Sequence, residues 1–157
     1  MTCVIDLIDE TGTAPTIDEA RLQQVIELAL ANEDIEQSEL TVLIVDSAGS
    51  AALHAEHFND DSATDVMTFP DHSPNPESGA IHLGDIAICV DVARDAAAAR
   101  GRADDAGTID ECILYIVHGL LHLLGFDDRE DADRTEMWAR QRELVAAIGI
   151  TIEAEPT

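Results

Sequence analysis

His118 and His122 stand four residues apart in a run that is otherwise apolar from Cys112 to Phe126. On an α-helix that spacing brings both imidazoles to one face, a turn apart, where a single cation can take both. Gly125 lets the backbone leave the helix with positive φ, and the chain can then fold back so that a carboxylate oxygen of Asp128 joins the two rings. His118, His122 and Asp128 are therefore the candidate ligands of one divalent ion and the candidate catalytic residues around it. Three protein ligands leave the fourth tetrahedral position to water, whose pKa falls toward ~7 on zinc, so the expected chemistry is hydrolysis. Mixed nitrogen and oxygen donors suit zinc best and also admit nickel, manganese or iron. Asp127 is the alternative third ligand, with Asp128 behind it, because adjacent side chains cannot both point inward. Histidine pairs at this spacing also arise by chance, but here both would bury ring nitrogens that need partners.

The full spacing, H-x-x-x-H-x-x-G-x-x-D, is similar to the metzincin pattern, in which a glutamate follows the first histidine and acts as general base. Gly119 occupies that position. No carboxylate is left on that turn, which argues against peptide hydrolysis by that route. Glu111 falls on nearly the same helix face two turns earlier, where a capping box accounts for it.

The elements that must position these residues follow from pattern and punctuation. Val4 to Ile8 reads as a strand, and Thr16-Ile17-Asp18-Glu19 as a capping box opening a helix to about Ala31. Leu40 to Val45 is a buried strand, with Asp46 or Ser47 capping a helix that reaches about His57. Thr64 to Phe69 forms a third strand ended by Pro70, residues 71 to 82 a loop, and Asp85 to Val90 a fourth strand. Asp91 caps a short helix stopped by Gly101. Thr108-Ile109-Asp110-Glu111 is a second capping box, opening the histidine helix over roughly 109 to 124. Asp131 caps the last helix, which runs to about Ile148. The expected fold is α+β: a small mixed four-stranded sheet packed with about five helices, with a metal cleft at the H-x-x-x-H helix.

With 157 residues, 46% of them hydrophobic, the chain suits one compact domain over 1–157, frayed after about Ile150. No apolar run reaches the ~20 residues of a membrane span, and the N-terminus is unlike a secretory signal. Cys3, Cys89 and Cys112 are odd in number and embedded in apolar segments, as buried reduced thiols are, so a cytoplasmic location is expected. The formal charge is -25, from 33 acidic residues against 8 basic ones, every one an arginine. So acidic a surface repels phosphate backbones, which are usually gripped by lysine and arginine. It also suits concentrated salt, where the Debye length shrinks to ~3 Å at 1 M. Oligomeric state is not written in any of these features.

The segment His118-Gly-Leu-Leu-His122-Leu-Leu-Gly-Phe-Asp127-Asp128 resembles the H-G-x-L-H-L-x-G-Y-D-H signature of the YbeY family of bacterial endoribonucleases. Thr64 to Pro70 (T-D-V-M-T-F-P) is similar to that family's T-D-V-L-S-F-P, and Leu83 to Ile86 to its L-G-D-I. Met137 and Gln141 fall where its final helix has them. The resemblance covers roughly residues 40 to 148. It implies zinc held by three side chains in a cleft, and cleavage of single-stranded ribosomal RNA in rRNA maturation and ribosome quality control. Two positions depart from the pattern. Asp128 stands where the family has a third histidine, and Phe58 where it has an arginine thought to grip phosphate. Arg129 and Arg134 are possible substitutes for that grip. His54 and His57, a helical turn apart, could donate a proton or touch phosphate. Asp65 and Asp85 match family positions from which a carboxylate could orient a metal-bound histidine through its free N–H. Two further readings stay open: a metal-dependent hydrolase of a substrate other than RNA, and a non-catalytic, metal-stabilised module binding a basic ribosomal protein.

Overall fold

The computed structural model describes residues 2–152. Four strands, β1 (Thr2–Asp9), β2 (Gln37–Val45), β3 (Val66–Pro74) and β4 (Ile81–Cys89), form one mixed sheet in the order β1-β2-β4-β3. β1 and β2 are parallel, as are β2 and β4, while β3 runs antiparallel along β4 at the edge. Five helices accompany them: α1 (Glu19–Leu30), α2 (Ser47–Phe58), α3 (Val90–Ala99), α4 (Asp105–Leu123) and α5 (Asp131–Ala146). The architecture is the α+β arrangement that the periodicities indicate.

β2 alternates, burying Ser38, Leu40, Val42 and Ile44 on one face. α4 is buried almost all round because it lies between the sheet and three other helices, touching β3, β4, α1, α3 and α5. Ile113, Ile116, Val117 and Leu120 are fully inaccessible, and burying each such side chain contributes about 1.5–3 kcal/mol. The helix that carries both histidines is thus packed on nearly every side. Gly119 is the residue through which α4 meets the sheet. A Cβ there would lie 2.9 Å from Ile86 Cγ2 and 3.2 Å from Thr68 Cγ2, closer than packed side chains tolerate.

Several boundaries differ from the expectation. The first helix is capped by Asp18, which accepts from the N–H groups of Ala20 and Arg21, not by Thr16. The histidine helix begins at Asp105, capped by Asp104 through the Gly107 N–H, so Thr108 and Glu111 lie inside it and form no capping box. β4 passes directly into α3, and Asp91 caps a neighbour instead, accepting from the Ser47 N–H at the start of α2. Glu130, not Asp131, precedes α5, and that helix ends at Ala146. The stretch expected as a loop from residue 71 continues β3 to Pro74, with a register shift between Pro70 and Ser73. Pro70 does not end the strand because β3 is an edge, where a missing N–H is tolerated. Ile152 packs into the core at 4% exposure, so the fraying expected after Ile150 does not begin there; residues 153–157 lie outside the described part.

Candidate metal centre

The two histidines project from the last two turns of α4, each with one ring nitrogen turned to a protein acceptor. His118 Nδ1 lies 2.8 Å from Gln141 Oε1 on α5, and His122 Nδ1 lies 3.2 Å from the Phe126 carbonyl oxygen. A carbonyl only accepts, so Nδ1 of His122 carries the proton; the Gln141 oxygen fixes His118 in the same tautomer. The Nε2 atoms therefore present lone pairs, and these converge to 3.1 Å. Asp128 Oδ2 completes the group, 3.5 Å from His122 Nε2 and 3.9 Å from His118 Nε2.

Two lone pairs and a carboxylate oxygen facing one point repel one another unless a cation lies between them. A tetrahedral zinc ion with bonds of about 2.0–2.1 Å spaces its donors roughly 3.3 Å apart, close to the observed separations. The residues thus fit a divalent ion, and His118, His122 and Asp128 are the group that could hold one among the described residues. Burial holds the His118 pKa below its ordinary value, against the Gln141 hydrogen bond that raises it, and so favours the neutral ring that a ligand must be. Asp128 is the most exposed member of the group, with 43% of its side chain accessible.

Gly125 makes this local geometry possible. At φ 101° it takes a conformation open to glycine, letting the Phe126 N–H return to the Leu121 carbonyl as a helix-terminating bond. The same turn aims the Phe126 carbonyl at His122. Asp127 points elsewhere: its Oδ1 accepts from the N–H groups of Asp128 and Arg129, which holds its carboxyl below the usual carboxylate range. The alternative third ligand is therefore not brought to the histidines.

A cleft of about 310 Å³ opens over the trio, lined by His54, Phe58, Thr64, Asp65, Val66, Met67, Thr68, His118, His122 and Asp128. Neither Arg129 nor Arg134 lines it; Arg129 is paired with Asp127 and Arg134 with Asp131. The two histidines of α2 part company. His54 faces the cleft with its Nδ1 donating to the Ser62 carbonyl, whereas His57 sits edge-on against Phe69.

The orienting role suggested for Asp65 and Asp85 belongs to other groups. Asp65 Oδ1 accepts from the Val66 N–H, and Asp85 lies 3.5 Å from His82 Nε2, so neither bonds a candidate ligand. Gln141, 3% exposed on α5, and the Phe126 carbonyl do that work. A buried glutamine is a signal in principle, but only the packing of α5 on α4 shows which atom it serves. Glu111 is likewise no cap: it is buried, ion-paired through Oε1 with Arg100 and near Tyr115, and its Oε2 has no hydrogen-bond partner.

Known proteins resemble this chain in sequence and fold. The model of the family described as Endoribonuclease YbeY matches residues 7–149. A protein named Endoribonuclease YbeY from Pseudomonas putida strain W619 is 38% identical over 92% of this chain and 88% of its own length. One of the same name from Kineococcus radiotolerans is 35% identical over 98% of this chain and 93% of its own length. Another, from Micrococcus luteus, is 42% identical over 72% of each. A protein of Thermotoga maritima solved in solution shares the fold, with a TM-score of 0.58, 22% identity and coverage of 92% of this chain and 89% of that one. With its family match spanning most of its length and its relatives above a third identical, the chain belongs to the Endoribonuclease YbeY family.

Proposed function

We propose that this protein is a zinc-dependent endoribonuclease that hydrolyses single-stranded ribosomal RNA in rRNA maturation and ribosome quality control. The observation that carries the reading is the convergence of His118 Nε2, His122 Nε2 and Asp128 Oδ2, with both Nδ1 protons committed elsewhere. His118, His122 and Asp128 would hold the ion. When bound, it supplies Lewis acidity and positive charge in a cleft that has no lysine or arginine in its lining.

The remaining work falls to the chain itself. Gln141 and the Phe126 carbonyl fix the two rings, so the ligands need not reorganise. Gly119 faces the sheet and leaves no carboxylate on the turn between the histidines. Proton transfer would then fall to the groups of the cleft wall, where Asp65 and His54, the latter with its proton on Nδ1, are the candidates. Asp128 contributes a negative charge where the family pattern has a histidine, which tempers the acidity of the ion.

One observation favours a second reading. The cleft lining lacks any guanidinium or ammonium, and the chain carries a charge of -25, which suits a hydrolase of a smaller or less anionic substrate than RNA. The deciding experiment measures metal content by mass spectrometry, and cleavage of a single-stranded ribosomal RNA fragment, for the wild type, His118→Ala and Asp128→Ala. Endonucleolytic cleavage that depends on metal and vanishes in His118→Ala is expected. Cleavage that survives in His118→Ala overturns the reading, and stoichiometric metal without any RNA cleavage points to the other substrate class.

A further inference from the structure

We propose that Phe58, supported by Phe69 and His54, is a nucleobase-stacking subsite, so that a single strand is held over the metal centre by its bases and not by ion pairs to its phosphates. The inference rests on the nuclease reading and deepens it. Among the described residues the large hydrophobic side chains left exposed are Val4, Ile8, Leu28 and Phe58, and only Phe58 is aromatic. It is 49% exposed and lines the same cleft as His118, His122 and Asp128. A ring left half in water, as the one phenylalanine, tyrosine or tryptophan in the cleft lining, is placed to meet a flat apolar surface.

The ring is also held in place. Phe58 is the last residue of α2, and Asn59 ends that helix in a left-handed conformation at φ 55°, with its N–H returned to the His54 carbonyl. The Phe58 ring lies 6.0 Å from that of Phe69 at 48°, and 5.6 Å from that of His54 at 54°. His57 packs edge-on against Phe69 at 4.9 Å. His54 is fixed in turn by its 2.8 Å bond to the Ser62 carbonyl. Such a tilted cluster braces Phe58 from the side of the protein while leaving ring surface to the cleft.

Charge excludes the usual alternative. Phosphate grips rely on lysine and arginine, and neither type lines this cleft. The acidic chain repels the backbone at a distance, so beyond the contact made by the ion itself the attraction must be short-ranged and indifferent to salt. Base stacking on an aromatic ring has that character and accepts any base.

The test uses the metal-loaded full chain and a short single-stranded oligoribonucleotide carrying 2-aminopurine, with binding read by anisotropy and stacking by quenching of the 2-aminopurine. Phe58→Ala should weaken binding about tenfold to a hundredfold and abolish quenching, whereas Phe58→Trp should restore both. Replacing the stacked nucleotide by an abasic one should weaken binding to the wild type by the same factor and leave Phe58→Ala unchanged. Affinity for the wild type should stay level or rise between 50 and 200 mM salt, where a phosphate-gripping protein loses orders of magnitude. Equal affinity of Phe58→Ala and wild type, equal affinity for intact and abasic strands, or no binding at all overturns the proposal. The two readings separate cleanly: stacking without cleavage sinks the nuclease assignment alone, and cleavage indifferent to Phe58 and to the base sinks the subsite alone.

Discussion

Gln141 Oε1 accepts the Nδ1 proton of His118 across 2.8 Å, joining α5 to the histidine-bearing face of α4 across a separation of 23 positions in sequence. The glutamine is buried and contributes no atom to the candidate coordination group, so its role is to set the direction of the ring and the nitrogen that carries the proton. Groups that orient ligands in this way are worth about 10–100-fold in metal affinity. Gln141→Leu should therefore weaken zinc binding by about that factor, as measured by competition with a chromophoric chelator, and Gln141→Glu should restore most of it because a carboxylate accepts the same proton. Wild-type affinity in Gln141→Leu would show that the ring is held by packing alone.

Gly119 allows α4 to approach β3 and β4 so closely that a methyl group meets Ile86 Cγ2 at 2.9 Å. Alanine is the better helix former by about 1 kcal/mol, yet overpacking a rigid core costs about 1–3 kcal/mol, so Gly119→Ala should be less stable on balance. Urea denaturation is the appropriate measurement. A variant as stable as the wild type would mean that helix and sheet separate more easily than their burial indicates. Gly119→Glu, which would restore the metzincin base, should fail to fold.

Burial pushes the Glu111 carboxyl above its ordinary value, partly opposed by Arg100. A raised folded-state pKa means that the native protein binds more protons than the unfolded chain between the two values, so Glu111 favours folding most at low pH and loses that advantage as pH rises through its folded pKa. Glu111→Gln removes the titration. The stability of wild type minus that of the variant should therefore decline from pH 4 upward and level off above the folded pKa. A difference that grows with pH would instead show that Arg100 dominates the environment of this carboxylate.

Self-repulsion among 33 acidic residues opposes compaction and is screened by ions. Thermal denaturation should shift upward by several degrees between dilute buffer and molar potassium chloride. Repeating the scan in molar sucrose separates screening from a general excluded-solute effect, since sucrose carries no charge. A midpoint that stays put in potassium chloride would show that the acidic coat costs the folded state little.

What could be read from the sequence was whatever is governed by local rules. The pair His118 and His122 followed from helix periodicity, and the turn at Gly125 from the conformational freedom of glycine, because both depend on neighbours in the chain. The four strands and five helices emerged from the same kind of pattern. Caps were less legible: Asp18, Asp104 and Thr16 or Thr108 are all acceptable first residues, and the choice among them is made by burial of the following turn, as the inward-facing Thr108 and Glu111 show. The extension of β3 past Pro70 depended on its lying at the sheet edge, a fact of pairing that no window of sequence contains. Gln141 and the ring cluster around Phe58 lie beyond sequence reasoning for the same reason, since each is defined by contacts between separate elements.

The turn at Gly125 has a consequence for how the site assembles. His118, His122, Asp128 and the carbonyl that steadies His122 all come from a single stretch of eleven residues. Closing so short a loop costs little chain entropy, so these groups meet as soon as α4 and its terminating turn exist. The one tie that spans elements is Gln141. Loosening α5 would therefore free one ring to rotate while leaving the three donors in reach of one another, a graded loss of grip and not the dispersal of the site.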